Sequence, residues 1–431
     1  MYNKKEIVLN KVKNLLLIYI FLISIFVITM VISYALPNKN IINNTKESIP
    51  KLVAEGVYPK VFFDSHKSQL DNFTDSWMLN IAISADNKHP LKSSLANPYK
   101  KPHDAKDKVD QLNKSLYKED LPIDEYSRYW HGYQIVLRPL LLLFNYEQIR
   151  YLNMFGIMSL FMTVAYLLKK ELGTRYVASF LVSMIMIMFM ISPMSLQFSS
   201  MFYMTFISMI VVLLYHKKIR DNNYLIYVFF IIGAVTSFWD LLTVPLLTLG
   251  LPLTTYVLLE EKSNRLITNT IDTIKASFIW AIGYGITWAT KWVVATIVLK
   301  KNIISDALSQ ILSRTSSEVG ELEISKIDAV EKNTNLLFDG FVIKLFIIAL
   351  IIWLILFLIS KRQNIIDVLP ILVIAVYPIL WYIILANHSY MHFWFTYRSL
   401  GVTVFSVLSF MMYLIDIDKL KNKLGGKHWN I

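Results

Sequence analysis

The feature that most limits how this chain can fold is a series of apolar runs. Each is close to the roughly 20 residues that a helix needs to cross a bilayer core. They fall at about 15–36, 150–168, 176–193, 198–215, 223–239, 241–259, 276–299, 340–360, 365–386 and 393–415. Alternation over roughly ten-residue segments, the mark of a transmembrane β-barrel, is absent. The expected fold class is all-α: a polytopic integral membrane protein of about ten transmembrane helices, forming one domain over residues 1–431.

Charge placement tests this reading. The net charge is +12, but Lys and Arg gather at the ends of the apolar runs rather than along one face. That distribution excludes nucleic acid and favours lipid headgroups. Lys4, Lys5, Lys11 and Lys13 precede the first run, which reads as a retained anchor. Lys169, Lys170, Arg175, Lys217, Lys218, Arg220, Lys262, Arg265, Lys275, Lys361 and Arg362 follow alternate runs, and Lys419, Lys421, Lys423 and Lys427 follow the last. By the positive-inside rule both termini are expected in the cytoplasm. There is no cysteine, which excludes disulfides and thiolate metal sites. No glycine-rich phosphate loop or internal repeat is present either.

Two polar segments face outward on this topology, Pro37 to Gln134 and Lys300 to Phe338. Both greatly exceed ordinary connections of about 2–8 residues. In the first, helical spacing predicts an interfacial helix over Asp71 to Ser84, an irregular excursion over Lys92 to Lys118, and an interfacial helix over Ile135 to Phe144.

Candidate chemical residues cluster in these segments. Asp71 and Asp75 are four apart, so a helix through both turns them to one face. Such a pair suits a divalent cation or a general base, although Asp71 also stands where an N-cap belongs. In Tyr129-Trp130-His131-Gly132-Tyr133, Trp130 and Tyr133 suit stacking on a sugar and His131 donation to a phosphate; an interfacial aromatic belt would look the same. Arg138, inside an apolar segment, needs a lipid phosphate or the interface. Asp240 reads as a substrate contact or as the N-cap of the next helix. His388, His392 and Arg398 gather at the mouth of the last two runs and suit a phosphate or pyrophosphate. Lys291 is the main ionisable residue at a span centre, with a buried partner or a cavity as its expected setting.

With acids in the first loop and cations at its end and in the last outward turn, the chain resembles the GT-C superfamily of membrane glycosyltransferases. Asp71 and Asp75 match that family's loop acid, and Arg398 with His388 matches its basic site for the lipid carrier. The segments Tyr129 to Arg138 and His388 to Arg398 look like those of bacterial members associated with surface polysaccharides. The family acid usually lies sooner after the first span, often in an adjacent pair, which makes Asp64 a third candidate. The resemblance implies an enzyme of the bacterial cell membrane with an extracytoplasmic site. It would move a sugar from a polyprenyl-phosphate-linked donor to a cell-envelope glycan. Asp75 or Asp71 would be the base; Arg138, His388 and Arg398 would bind donor phosphate, and Trp130 and Tyr133 would flank the sugar. The superfamily has metal-dependent and metal-free members, so a divalent cation such as Mg or Mn stays open. A polymerase of lipid-linked glycan shares these features. A lipid-glycan flippase would need ionisable residues along several span centres, and these are almost absent.

Overall fold

The computed structural model describes residues 4–118, 120–260, 266–360 and 366–423. The chain begins with α1 (Lys4–Ala35), α2 (Asn38–Glu55), α3 (Asn72–Ile83), α4 (Pro90–Ala96), α5 (Lys108–Tyr117) and α6 (Gln134–Leu141). Next come α7 (Tyr146–Glu171), α8 (Thr174–Met186), α9 (Leu196–Asp221), α10 (Leu225–Trp239), α11 (Leu246–Leu259) and α12 (Leu266–Leu299). Then follow α13 (Ile303–Thr315), α14 (Lys326–Leu337), α15 (Gly340–Ser360) and α16 (Pro370–Ile384). Short α17 (Ala386–Met391) and α18 (Phe393–Thr396) lead into α19 (Leu400–Tyr413) and α20 (Ile417–Lys423).

Seven helical regions among the described residues are long and apolar enough to cross a membrane, namely those containing α1, α7, α9, α12, α15, α16 and α19. Three more, α8, α10 and α11, are apolar but have only 13, 15 and 14 residues. At ~1.5 Å per residue they reach about 20–22 Å, against a hydrocarbon core of ~30 Å. Each expected apolar run therefore contains a helix among the described residues, but three of these helices are short. Beyond α8, Met188 is left-handed at φ 51° and Pro193 sits in a 3₁₀ turn, Phe189–Met194. Ahead of α11, Asp240 to Pro245 form a turn in which Leu242 has φ 65°. Of the basic residues assigned to the cytoplasm, Lys262, Arg265, Lys361, Arg362 and Lys427 lie outside the described residues.

The segment after α1 folds into a helical subdomain with its own core. Ile41 and Leu52 of α2, Leu79 of α3, Leu112 of α5 and Leu137 of α6 pack in one buried cluster. The region expected to be irregular is ordered. Strand β1 (Pro98–Lys100) pairs antiparallel with β2 (Ile123–Glu125), and α5 buries Val109, Leu112 and Leu116. Those residues recur at helical spacing, and the Asp107 side chain caps the helix by accepting from Asp110 N at 2.9 Å. The two helices expected in this segment are present as α3 and α6, with nine of the twelve residues of α3 buried in the subdomain.

Buried cations latch this subdomain together. The Arg138 guanidinium donates to the carbonyls of Ser33 (2.9 Å) and Leu36 (2.9 Å), to that of Ala82, and to Asn38 Oδ1 (3.0 Å). It thus satisfies the orphan carbonyls at the C-terminal ends of α1 and α3, where a cation also meets the helix dipole favourably. Lys291 Nζ does the same for α4, donating to Ser94 O (3.3 Å) and Leu95 O (2.7 Å) while lying 5.5 Å from the Trp130 ring. Arg150 of α7 pairs with Glu55 of α2 at 2.8 Å and donates to Asn72 Oδ1 at 2.9 Å.

Candidate functional site

The N-terminus of α3, the turn before α6, the start of α9, the end of α13 and the α17–α18 corner converge on a cavity of about 200 Å³. The two long polar segments therefore meet at one place. Asp71 and Trp77 come from the first, Arg314 from the second, and His388, His392 and Trp394 from the α17–α18 corner. Aromatic rings form much of the wall. Trp77 stacks on Tyr126 at 4.4 Å and 18°, and Tyr58 meets Trp394 edge-on at 5.4 Å.

Asp71 is buried. Its Oδ1 accepts from Thr74 N (2.9 Å) and its Oδ2 from Thr74 Oγ1 (2.9 Å). Burial outweighs these hydrogen bonds, and the nearby Asp75 adds repulsion, so the carboxyl is pushed up to about 7. That is a carboxyl poised to change its proton near neutrality.

The three histidines are all held neutral. His131 Nε2–H donates to Tyr126 O at 3.0 Å, leaving Nδ1 to accept from the Tyr133 hydroxyl at 2.8 Å. Burial and the Lys291 charge push His131 down to about 3. His131 has φ 57° and is set by Gly132, whose N–H donates to Phe238 O at 2.8 Å; a Cβ there would collide with that carbonyl. His388 Nε2–H donates to Leu242 O at 2.8 Å and Nδ1 accepts from the Arg314 guanidinium, so burial and Arg314 hold it well below the usual imidazole range. His392 lies flat on Phe395 at 5.2 Å and is pushed down to about 4 by burial and by Arg314. The ionisable side chains of the wall therefore present one guanidinium, one carboxyl near its midpoint and neutral imidazoles.

Five wall residues carry buried polar atoms with no hydrogen-bond partner: Trp77 Nε1, Gln197 Oε1, Arg314 Nε, His392 Nδ1 and Trp394 Nε1. Each such atom costs about 1–3 kcal/mol.

The cavity adjoins apolar space. A groove of about 390 Å³ shares Met78 and Tyr133 with it and runs between α6, α7 and α9. A further groove of about 190 Å³ shares Met204 and Ile207 with the first and follows α9 and α10. Val136 and Ile207, each 44% exposed, place the opening on the apolar flank of the bundle.

Asp71, His131, Tyr133, His388 and His392 thus line the cavity. The other expected site residues are placed elsewhere. Asp75 is buried beneath the wall and caps α9, accepting from Leu196 N (2.9 Å), Gln197 N (3.1 Å), Ser195 Oγ (3.1 Å) and the Tyr146 hydroxyl. Arg138 faces backbone carbonyls, because a buried guanidinium must satisfy its donors where it lies. For the same reason Arg398 donates to Trp394 O (2.8 Å) and Lys67 O (3.1 Å) and packs on the Phe198 ring. Trp130 packs between α1 and α10 with Nε1 donating to Thr287 O at 2.8 Å. Asp240 organises the turn before α11, accepting from Thr243 N (2.8 Å) and from the Tyr284 hydroxyl (2.8 Å). Asp64 is exposed beside Lys60.

Sequence reasoning missed Arg314, Gln197, Tyr58, Trp77, Tyr126 and Trp394 as wall residues. Arg314 had one signal: it is the basic residue in the last turn of an amphipathic helix within an unusually long polar segment. Among the described residues no group of three or more His, Asp or Glu side chains is placed to hold a metal ion. No protein-family model, no curated protein and no solved structure matches this chain.

Proposed function

We propose that this protein is a membrane glycosyltransferase. It moves a sugar from a polyprenyl-phosphate-linked donor to a cell-envelope glycan at the extracytoplasmic face. The observation that carries this reading is a small aromatic-walled cavity, with Asp71 and Arg314 in its wall, beside apolar grooves on the flank of the bundle. A ligand fitting both must be polar at one end and a long hydrocarbon at the other, as a lipid-linked sugar is.

The roles follow from the wall. The rings of Tyr58, Trp77, Tyr126 and Trp394 bound the space for the sugar. Arg314 is the guanidinium of the wall and stands by the donor phosphate, with His388 orienting it through Nδ1. Asp71 takes the proton of the acceptor hydroxyl as that oxygen bonds to the anomeric carbon. The bond from that carbon to the phosphate oxygen breaks, and the electron pair leaves with the polyprenyl phosphate, whose charge Arg314 stabilises. Transport is less well supported, because the span-centre cation Lys291 is engaged with backbone carbonyls rather than lining a route.

The test is transfer of radiolabelled sugar from synthetic polyprenyl-phosphate donors by purified protein in lipid. Asp71→Asn and Arg314→Ala are each expected to lower turnover at least about 100-fold. Wild-type turnover in both variants, at equal protein level, would overturn the assignment.

A further inference from the structure

A separate groove of about 520 Å³ runs between α8, α15 and α19, and it shares no lining residue with the candidate cavity or its apolar extensions. Helix α15 accounts for it. No residue from Val342 to Ile359 is buried. The helix is fastened near one end by Phe346 against Phe338 at 5.4 Å, and further along by Trp353 Nε1 donating to Met411 O at 2.8 Å. Between these fastenings the helix stands off the bundle, and Val182, Leu345, Ala349 and Leu408 line the gap with hydrocarbon. In a bilayer such a gap takes up a lipid chain rather than water.

One end of the groove is polar. Lys67 is only 5% exposed, and its Nζ donates to Leu337 O at 3.1 Å and to Asp339 Oδ1 at 2.6 Å. An ammonium has three N–H groups, so one is left for a ligand oxygen. The Asp339 side chain is 51% exposed, which leaves its carboxylate accessible to a ligand cation. From Val342 to Trp353 the groove follows α15 for roughly 16 Å at ~1.5 Å per residue. That is about half of a ~30 Å hydrocarbon core, the depth of one leaflet.

We propose that this groove binds one zwitterionic glycerophospholipid, with an acyl chain along α15, its phosphate at Lys67 and its headgroup ammonium at Asp339. The paired charges of Lys67 and Asp339 match a headgroup that carries both signs. An anionic headgroup would set a second negative charge beside Asp339. A polyprenyl chain far exceeds one leaflet in length. This site is independent of the glycosyl-transfer reading, since it lies outside that cavity and its test reads bound lipid rather than turnover.

The experiment counts lipids on the full-length protein. Purified protein stripped in detergent is offered phosphatidylethanolamine, phosphatidylglycerol or polyprenyl phosphate, and retained lipid is measured by native mass spectrometry. One phosphatidylethanolamine per chain is expected, favoured about tenfold over phosphatidylglycerol, and Asp339→Asn removes that preference. Ala349→Trp and Ala178→Trp fill the groove from opposite walls, away from its polar end, and abolish retention; thermal unfolding verifies that each is folded. Equal retention of all lipids, retention unchanged in both groove-filling variants, or preference for polyprenyl phosphate would each overturn the proposal.

Discussion

Replacing Asp71 by asparagine should stop catalysis and at the same time stabilise the protein, by an amount that depends on pH. Burial raises this carboxyl from its ordinary 3.8 to about 7. About three units at ~1.4 kcal/mol each make ionisation in the folded state cost about 4 kcal/mol. Below pH 4 the group is protonated in both folded and unfolded chains, so the cost is absent. Between pH 4 and 7 the unfolded chain releases a proton that the folded chain keeps, and wild-type stability falls as pH rises. Above pH 7 the full penalty remains. Asparagine carries no charge, caps as well as aspartate, and can still accept from Thr74 N while donating its amide to the Thr74 hydroxyl. Thermal unfolding of wild type and Asp71→Asn from pH 4 to 8.5, in parallel with the transfer assay, measures both effects. The curves should coincide near pH 4 and separate progressively to pH 8, with the variant the more stable. A gap that does not widen with pH would refute the electrostatic argument; full turnover by the variant would refute the base assignment.

Wild-type kcat/KM should fall about tenfold per pH unit below about 7 as Asp71 takes up its proton, an effect read from a pH–rate profile. Ile207→Trp, placed in the apolar groove, should raise KM for long-chain donors and leave short-chain analogues unaffected; equal effects on both would remove the groove from the binding path. Arg138→Ala strips the Leu36 and Ala82 carbonyls and Asn38 Oδ1 of their donor, at about 1–3 kcal/mol each, so the protein should fail to accumulate in membranes. Gly132→Ala drives a methyl into Phe238 and should cost about 1–3 kcal/mol in thermal stability.

The apolar architecture was legible in the sequence because run length and helical spacing are local properties. The positions of α3 and α6 were legible for the same reason. The site was legible only in part. Asp71 and Asp75 satisfy helical four-residue spacing, yet Asp71 has φ −118° and ψ 66° and precedes the first helical turn. The rule that aligns residues four apart therefore does not apply, and the two carboxylates diverge, one to the cavity and one to the start of α9. Arg138 and Arg398 looked like cations awaiting an anion, and Lys291 like one awaiting a buried partner or a cavity, because a sequence does not show which backbone carbonyls will surround them. Arg314 is brought to the cavity by His388, 74 residues further along, a contact that no local pattern encodes.

The Arg138 latch also bears on the order in which the chain assembles. Every group it grips lies between positions 33 and 82, so the latch can close once residue 138 has been made, before α7 to α20 exist. The junction of α1, α3 and α6 can thus form early in synthesis, before Arg150 and Lys291 arrive to complete the subdomain. The cavity cannot. It needs Arg314, His388 and Trp394, which reach it only when nearly all of the chain is present. A chain that stops short of α17 would carry a folded subdomain and an incomplete wall.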